Sequence, residues 1–146
     1  MIRKAELGDI SRIAEILVFV KRMNYRSIFH EDGFSFGKLQ VLPVAEEYSD
    51  PDILGKIYVY DDGFVKGLIH IDGDEIVELY VDSFFEGRGI GAELIEYAKE
   101  NFGVSFLWVL EKNKRAIRFY ENHGFHMSDT RKLQEGTPEY LVKLEL

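Results

Sequence analysis

Three strand-like runs stand almost end to end in the middle of the chain: IYVY at 57–60, FVKGLIHI at 64–71 and EIVELYV at 75–81. Only Asp61-Asp62-Gly63 and Asp72-Gly73-Asp74 separate them. Connections this short allow antiparallel hairpins and nothing else, because a parallel crossover needs about a dozen residues or more. An antiparallel meander therefore lies at the centre of the fold, and a sheet built wholly of parallel strands is excluded.

The pattern then changes. Ile90, Leu94, Ile95 and Ala98 recur on one helical face while Glu93, Glu96, Lys99 and Glu100 take the other, which predicts a helix of three turns. VSFLWVL at 104–110 is apolar throughout and reads as a strand buried on both faces. Strand 75–81, this helix and strand 104–110 form a βαβ unit. NKRAIRFYENHGF at 113–125 reads as a helix ended by Gly124, and the alternation of Tyr140, Val142, Leu144 and Leu146 as a half-buried final strand. At the other end, 2–5 is a short strand. A helix follows, with Ile10, Ile13, Ala14, Leu17 and Val20 on its apolar stripe, running to about Tyr25. The stretch 26–55, broken by Gly33, Gly37, Pro43 and Pro51, holds a second short helix near 37–47.

With 146 residues, 46% of them hydrophobic, the chain is one domain spanning 1–146. Cysteine is absent, which excludes a thiol nucleophile and a disulfide scaffold and makes the cytoplasm the expected location. No apolar run reaches the ~18 residues of a membrane span. The net charge of -8 disfavours a nucleic-acid partner. Histidines 30, 70, 123 and 126 show no ligand spacing with carboxylates, so no metal is expected.

FFEGRGIGA at 84–92 joins the meander to the next helix. Strand, glycine turn and helix make an anion-binding arrangement, since the first N–H groups of a helix are unpaired and glycine lets a phosphate approach them. Gly91-Ala92-Glu93 lacks the Gly-Lys-Ser/Thr ending of a nucleoside-triphosphatase loop. Gly87, Gly89 and Ala92 satisfy the dinucleotide fingerprint, with Glu111 as a ribose-binding acid. The antiparallel meander before them is the wrong context for that fold. A tight turn alone would also account for an isolated glycine triplet.

Two longer motifs bear on the choice. LYVDSFFEGRGIGAELI at 79–95 resembles the strand, loop and helix that hold the cofactor diphosphate in the GNAT superfamily of acyl-CoA-dependent N-acetyltransferases, whose core pattern is Gln/Arg-x-x-Gly-x-Gly/Ala. LEKNKRAIRFYENHGF at 110–125 is similar to that family's Asn…Ala…Tyr…Gly-Phe segment, and MIRKAELGDISRIAEIL to its first strand and helix. The resemblance covers nearly the whole chain, most loosely at 26–55, where such enzymes build much of the acceptor site.

It implies a single-domain α/β (α+β) acyl-CoA N-acyltransferase fold: a mixed, mostly antiparallel sheet of six or seven strands flanked by helices. It also implies acetyl-CoA as co-substrate and direct transfer to a primary amine of a small molecule or peptide. Carried over by position, the amides of Gly87, Arg88, Gly89, Ile90, Gly91 and Ala92 bind the diphosphate, with the Arg88 charge adding attraction. Leu79, Tyr80 and Val81 pair with the pantetheine arm beside a bulge. Asn113, Ala116, Phe119 and Tyr120 contact the cofactor, and Tyr120 is the acid for the departing thiolate. Glu86 departs from the pattern, placing a carboxylate where the family has Gln or Arg. Glu75 and Glu78 are the candidates for the base that frees the amine; they face opposite sides of an ideal strand, which a bulge would alter. A noncatalytic acyl-CoA-binding module is the alternative, and a free C-terminal strand could pair across a homodimer.

Overall fold

The meander expected at 57–81 forms as three hairpin-linked strands, with a fourth N-terminal strand added to its outer edge. The structure, a computed structural model, describes residues 1–30 and 32–146. Ile2–Lys4 (β1), Ile57–Asp61 (β2), Val65–Asp72 (β3), Glu75–Val81 (β4), Phe106–Leu110 (β5), His126–Leu133 (β6) and Tyr140–Glu145 (β7) form one sheet in the order β1-β2-β3-β4-β5-β7-β6. Every pairing is antiparallel except β4 with β5, the two ends of the βαβ unit.

Helices Ile10–Phe29 (α1), Val41–Tyr48 (α2) and Pro51–Leu54 (α3) cover one face, and Ile90–Asn101 (α4) and Lys114–Asn122 (α5) the other. Ile13, Leu17, Val59 and Leu68 lie in the first core, and Ile69, Leu94, Ile95, Leu107 and Leu144 in the second. A half-buried tie anchors the N-terminus: Arg3 donates to both carboxylate oxygens of Asp9, at 2.8 and 2.9 Å, and to Asp61.

Several expectations need correction. Helix α1 runs a turn beyond Tyr25 to Phe29, ending where His30 turns left-handed (φ 53) and its N–H reaches Arg26 O. The second helix starts at Val41, because residues Gly33–Lys38 form a separate π-helical turn tied to α1 by Arg22, which donates to Ser35 O and Leu39 O. Strand β5 is less evenly buried than expected: Leu107 and Val109 enter the core, while on the other side Phe106 and Trp108 are only half-buried and Leu110 is buried. The final strand is not free, since β6 folds back and leaves β7 paired on both sides.

Two features place the site. His70 faces Glu78 while Ile71 faces Ile76, so Val77 is an extra residue and β4 carries a bulge there. The bulge shifts the alternation: Ile76, Leu79 and Val81 all belong to the α4/α5 core, and Tyr80 to the α1/α2 core. Glu75 and Glu78, three apart, therefore share a face. The second feature is α4 seated on β3 at Gly67, where an added Cβ would lie 3.1 Å from Ile90 Cγ2 and 3.2 Å from both Leu94 Cδ1 and Tyr80 O. Gly67→Ala is expected to push α4 outward and cost about 1–3 kcal/mol, measured by urea denaturation; unchanged stability would show that α4 is loosely held.

Candidate active site

Strands β4 and β5 pair for only two positions, Glu75 with Phe106 and Ile76 with Leu107. Beyond the bulge they diverge, leaving main-chain groups of β4 without a neighbour on that side, and a groove of about 760 Å³ opens between them. Leu79, Tyr80 and Val81 form one wall; Trp108, Val109 and Leu110 form the other.

The segment after β4 is built to expose its backbone. Asp82 accepts a hydrogen bond from Phe84 N at 2.9 Å and an ion pair from Arg12 at 2.6 Å, which fixes the tight turn Ser83–Phe85 against α1. Gly87 (φ 79) and Gly89 (φ 81) both sit in the left-handed region, and a Cβ on either would point into open space. Gly89 is the N-cap of α4, so the first amides of that helix, at Ile90, Gly91 and Ala92, face the groove without intrahelical partners. Gly91 lies beside the Phe119 ring, where an added Cβ would stand 3.4 Å from Cζ, an ordinary contact distance. The groove therefore ends at bare N–H groups carrying the positive end of a helix dipole, a place suited to an anion.

Helix α5 closes the groove from the other side. Asn113 Oδ1 accepts from Ala116 N at 3.2 Å and caps the helix. Phe119 and Tyr120 follow one turn later, ring against ring at 5.2 Å, and Tyr120 also meets Phe125. Burial pushes the Tyr120 phenol well above the usual tyrosine value, so it holds its proton across the physiological range.

At the far end, towards α1 and α2, sits a buried ionic cluster. Glu78 receives a hydrogen bond from the Tyr48 hydroxyl, and Lys21 Nζ lies 3.2 Å from its Oε2. His70 Nδ1 stands 3.6 Å from Oε1, close enough to attract but too far to bond. Burial alone would raise the Glu78 carboxyl; the combined attraction of His70, Lys21 and Tyr48 outweighs it and holds the group below the usual carboxylate range. Lys21 is raised in turn, burial being outweighed by Glu78 and by the neighbouring Tyr25 and Glu47. Glu75 lies on the same wall of the groove.

Residues 44–127, more than half of the chain, match the family model described as an acetyltransferase (GNAT) domain. The chain belongs to the GNAT family. A stretch of 56 residues is 50% identical to an uncharacterized N-acetyltransferase of Methanocaldococcus jannaschii, covering 35% of this chain and 25% of that one. Over 70 residues it is 34% identical to the peptidyl-lysine N-acetyltransferase YiaC of Escherichia coli, 47% of this chain and 48% of the relative. These matches thus span a quarter to about half of the curated relatives' lengths. The fold agrees end to end with the PaiA N-acetyltransferase of Thermoplasma acidophilum solved in complex with coenzyme A, with a TM-score of 0.71, 20% identity and 100% and 98% of the two chains covered.

Against the GNAT expectations, the groove gathers Glu75, Glu78, Leu79, Tyr80, Val81, Glu86, Gly87, Gly89, Ile90, Gly91, Ala92, Asn113, Ala116, Phe119 and Tyr120. Arg88 is the exception: its guanidinium stacks on the Phe85 ring at 5.3 Å, outside the groove lining. Sequence reasoning missed Lys21, Tyr48 and Trp108. Lys21 sits beside the apolar stripe of α1 and Tyr48 comes from the loosely matching segment, so neither carries a local signal. Among the described residues no helix is long and apolar enough to cross a membrane.

The ionic cluster makes a pH prediction. Because Glu78 is depressed in the folded state, the unfolded chain binds more protons between the two values, and the stabilisation, complete above the ordinary carboxylate range, is lost as pH falls through the depressed one. The raised Lys21 acts oppositely, contributing fully below the ordinary lysine value and losing its effect at higher alkaline pH. Lys21→Met strands a buried carboxylate and should cost about 3–5 kcal/mol at neutral pH, with acid unfolding beginning at higher pH. Urea unfolding across pH measures both; an unchanged acid limb would mean that Lys21 does not hold Glu78 ionised.

Proposed function

We propose that this protein is an acetyl-CoA-dependent N-acetyltransferase acting on a primary amine of a small molecule or peptide. The observation that carries the reading is the convergence, in one groove, of unpaired β4 backbone, bare amides at the start of α4 and the protonated Tyr120 phenol. Such a groove fits coenzyme A: the amides of 87–92 hold the diphosphate, and β4 at Leu79–Val81 pairs with the amide-bearing pantetheine arm as a neighbouring strand would. Solved relatives bear coenzyme A or, in a Salmonella typhimurium protein, acetyl-CoA.

The chemistry needs no covalent enzyme adduct, because a thioester is already activated. A free amine attacks the acetyl carbonyl, a C–N bond forms and the C–S bond breaks. An N–H on β4 polarises the carbonyl. One of the groove carboxylates takes the surplus amine proton, and Tyr120 gives a proton to the departing thiolate. Glu78 is already paired with Lys21 and accepts a hydrogen bond from Tyr48, which weakens it as a base and favours Glu75 for proton removal. YiaC acts on peptidyl lysine, and a lysine side chain is one acceptor that the Glu75 carboxylate in the groove suits.

Tyr120→Phe should lower kcat by about a hundredfold and leave coenzyme A affinity close to wild type, read by thiol release with a panel of amines and by calorimetry. Unchanged turnover removes the acid role. Coenzyme A binding without thiol release from any amine would identify a binding module instead. Glu75→Gln should remove the acidic limb of the kcat/KM pH profile, whereas Glu78→Gln should retain it; the reverse would exchange their roles.

A further inference from the structure

Glu86 stands where the family has Gln or Arg, at the lip of the groove immediately before Gly87. A carboxylate there faces the same space as the amides of 87–92, and a diphosphate bound by those amides meets it as a like charge. The structure gives Glu86 a partner across the opening: Arg115, in the first turn of α5, places Nη2 3.2 Å from Glu86 Oε2. Both residues line the groove, so their bridge spans its mouth from the α4 side to the α5 side.

The bridge is a weak one. The Arg115 side chain is 83% exposed and that of Glu86 39%, and exposed pairs of this kind contribute little because water competes for both charges. An arginine fork binds a phosphate in two-point fashion and more strongly than one solvated carboxylate oxygen. With its long, solvated side chain, Arg115 can leave Glu86 for an anion arriving at α4 without disturbing the fold, whereas the Arg88 guanidinium lies over Phe85, outside the groove lining.

We infer that Arg115 is a diphosphate-binding residue of this groove, held in the free protein by Glu86 and transferred to the ligand on binding. The inference rests on the reading of the groove as a coenzyme A site. It explains how a carboxylate is tolerated at this position: Glu86 parks the arginine across the mouth of the groove and is released to solvent when the arginine moves. It also assigns the attraction expected of Arg88 to a residue on a different element.

The test is binding of coenzyme A, 3′-dephospho-coenzyme A and pantetheine to the wild type and to Arg115→Ala, Arg115→Lys and Glu86→Gln. Trp108, the single tryptophan, lines the groove and reports occupancy by fluorescence, with calorimetry as a check. Arg115→Ala should weaken coenzyme A and its dephospho form alike, by about tenfold, leave pantetheine unaffected, and be partly rescued in Arg115→Lys. Glu86→Gln should tighten the two diphosphate ligands by about fivefold and again leave pantetheine unaffected. Equal loss for pantetheine would show a structural role, and a loss confined to coenzyme A would move Arg115 to the 3′-phosphate; either overturns the inference. So does unchanged or weaker binding in Glu86→Gln. If the folded wild type ignores coenzyme A, the proposed function fails and this inference with it; coenzyme A binding indifferent to Arg115 sinks this inference alone.

Discussion

The structure depends on a pairing that stops early. Strands β4 and β5 are the only parallel neighbours among the described strands, and they share two positions before they separate. A parallel pair is joined through a crossover helix, so α4 must begin at the end of β4 and lie over the sheet before β5 can return. The start of that helix, its unpaired amides and the gap between the strands are consequently brought to one place by chain connectivity. The bulge at Val77 adds to this by turning Glu75 and Glu78 onto the same face and directing Leu79 and Val81 into the α4 core.

Around the gap, each helix contributes one kind of chemistry. Helix α4 offers main-chain N–H groups, α5 a buried phenol, and α1 with α2 a cation and a hydroxyl that keep a carboxylate charged deep in the wall. A buried charge with three attracting partners is stable in place but resists change, which is the opposite of what a proton acceptor requires. The two glutamates of β4 are distinguished by surroundings more than by position. Glu78 is enclosed and compensated, whereas Glu75 stands at the hairpin end of the same wall.

Much of this was legible in the residues. The meander, the βαβ unit and the glycine turn are written in connection lengths and periodicity, and β4 spans the range expected for it, Glu75–Val81. Strand β6 escaped because all of its residues but Ser128 are exposed, so HMSDTRKL shows no alternation to read. That omission is what made the last strand look like a free edge. The far end of the groove escaped for another reason: Lys21, Tyr48 and His70 come from three elements, and only tertiary packing brings them to Glu78. The glycines differ in backbone geometry: Gly87 and Gly89 adopt positive φ at the mouth, and Gly91 does not.

The central claim is that main-chain amides at the open edge of β4 and at the start of α4 receive the thioester carrier. Backbone amide NMR of the folded chain, titrated with coenzyme A, addresses it most directly. The account predicts large shifts and slowed hydrogen exchange for residues 79–81 and 87–92, with β6 unperturbed. Saturable binding that moves other amides and leaves those two segments where they were would contradict it.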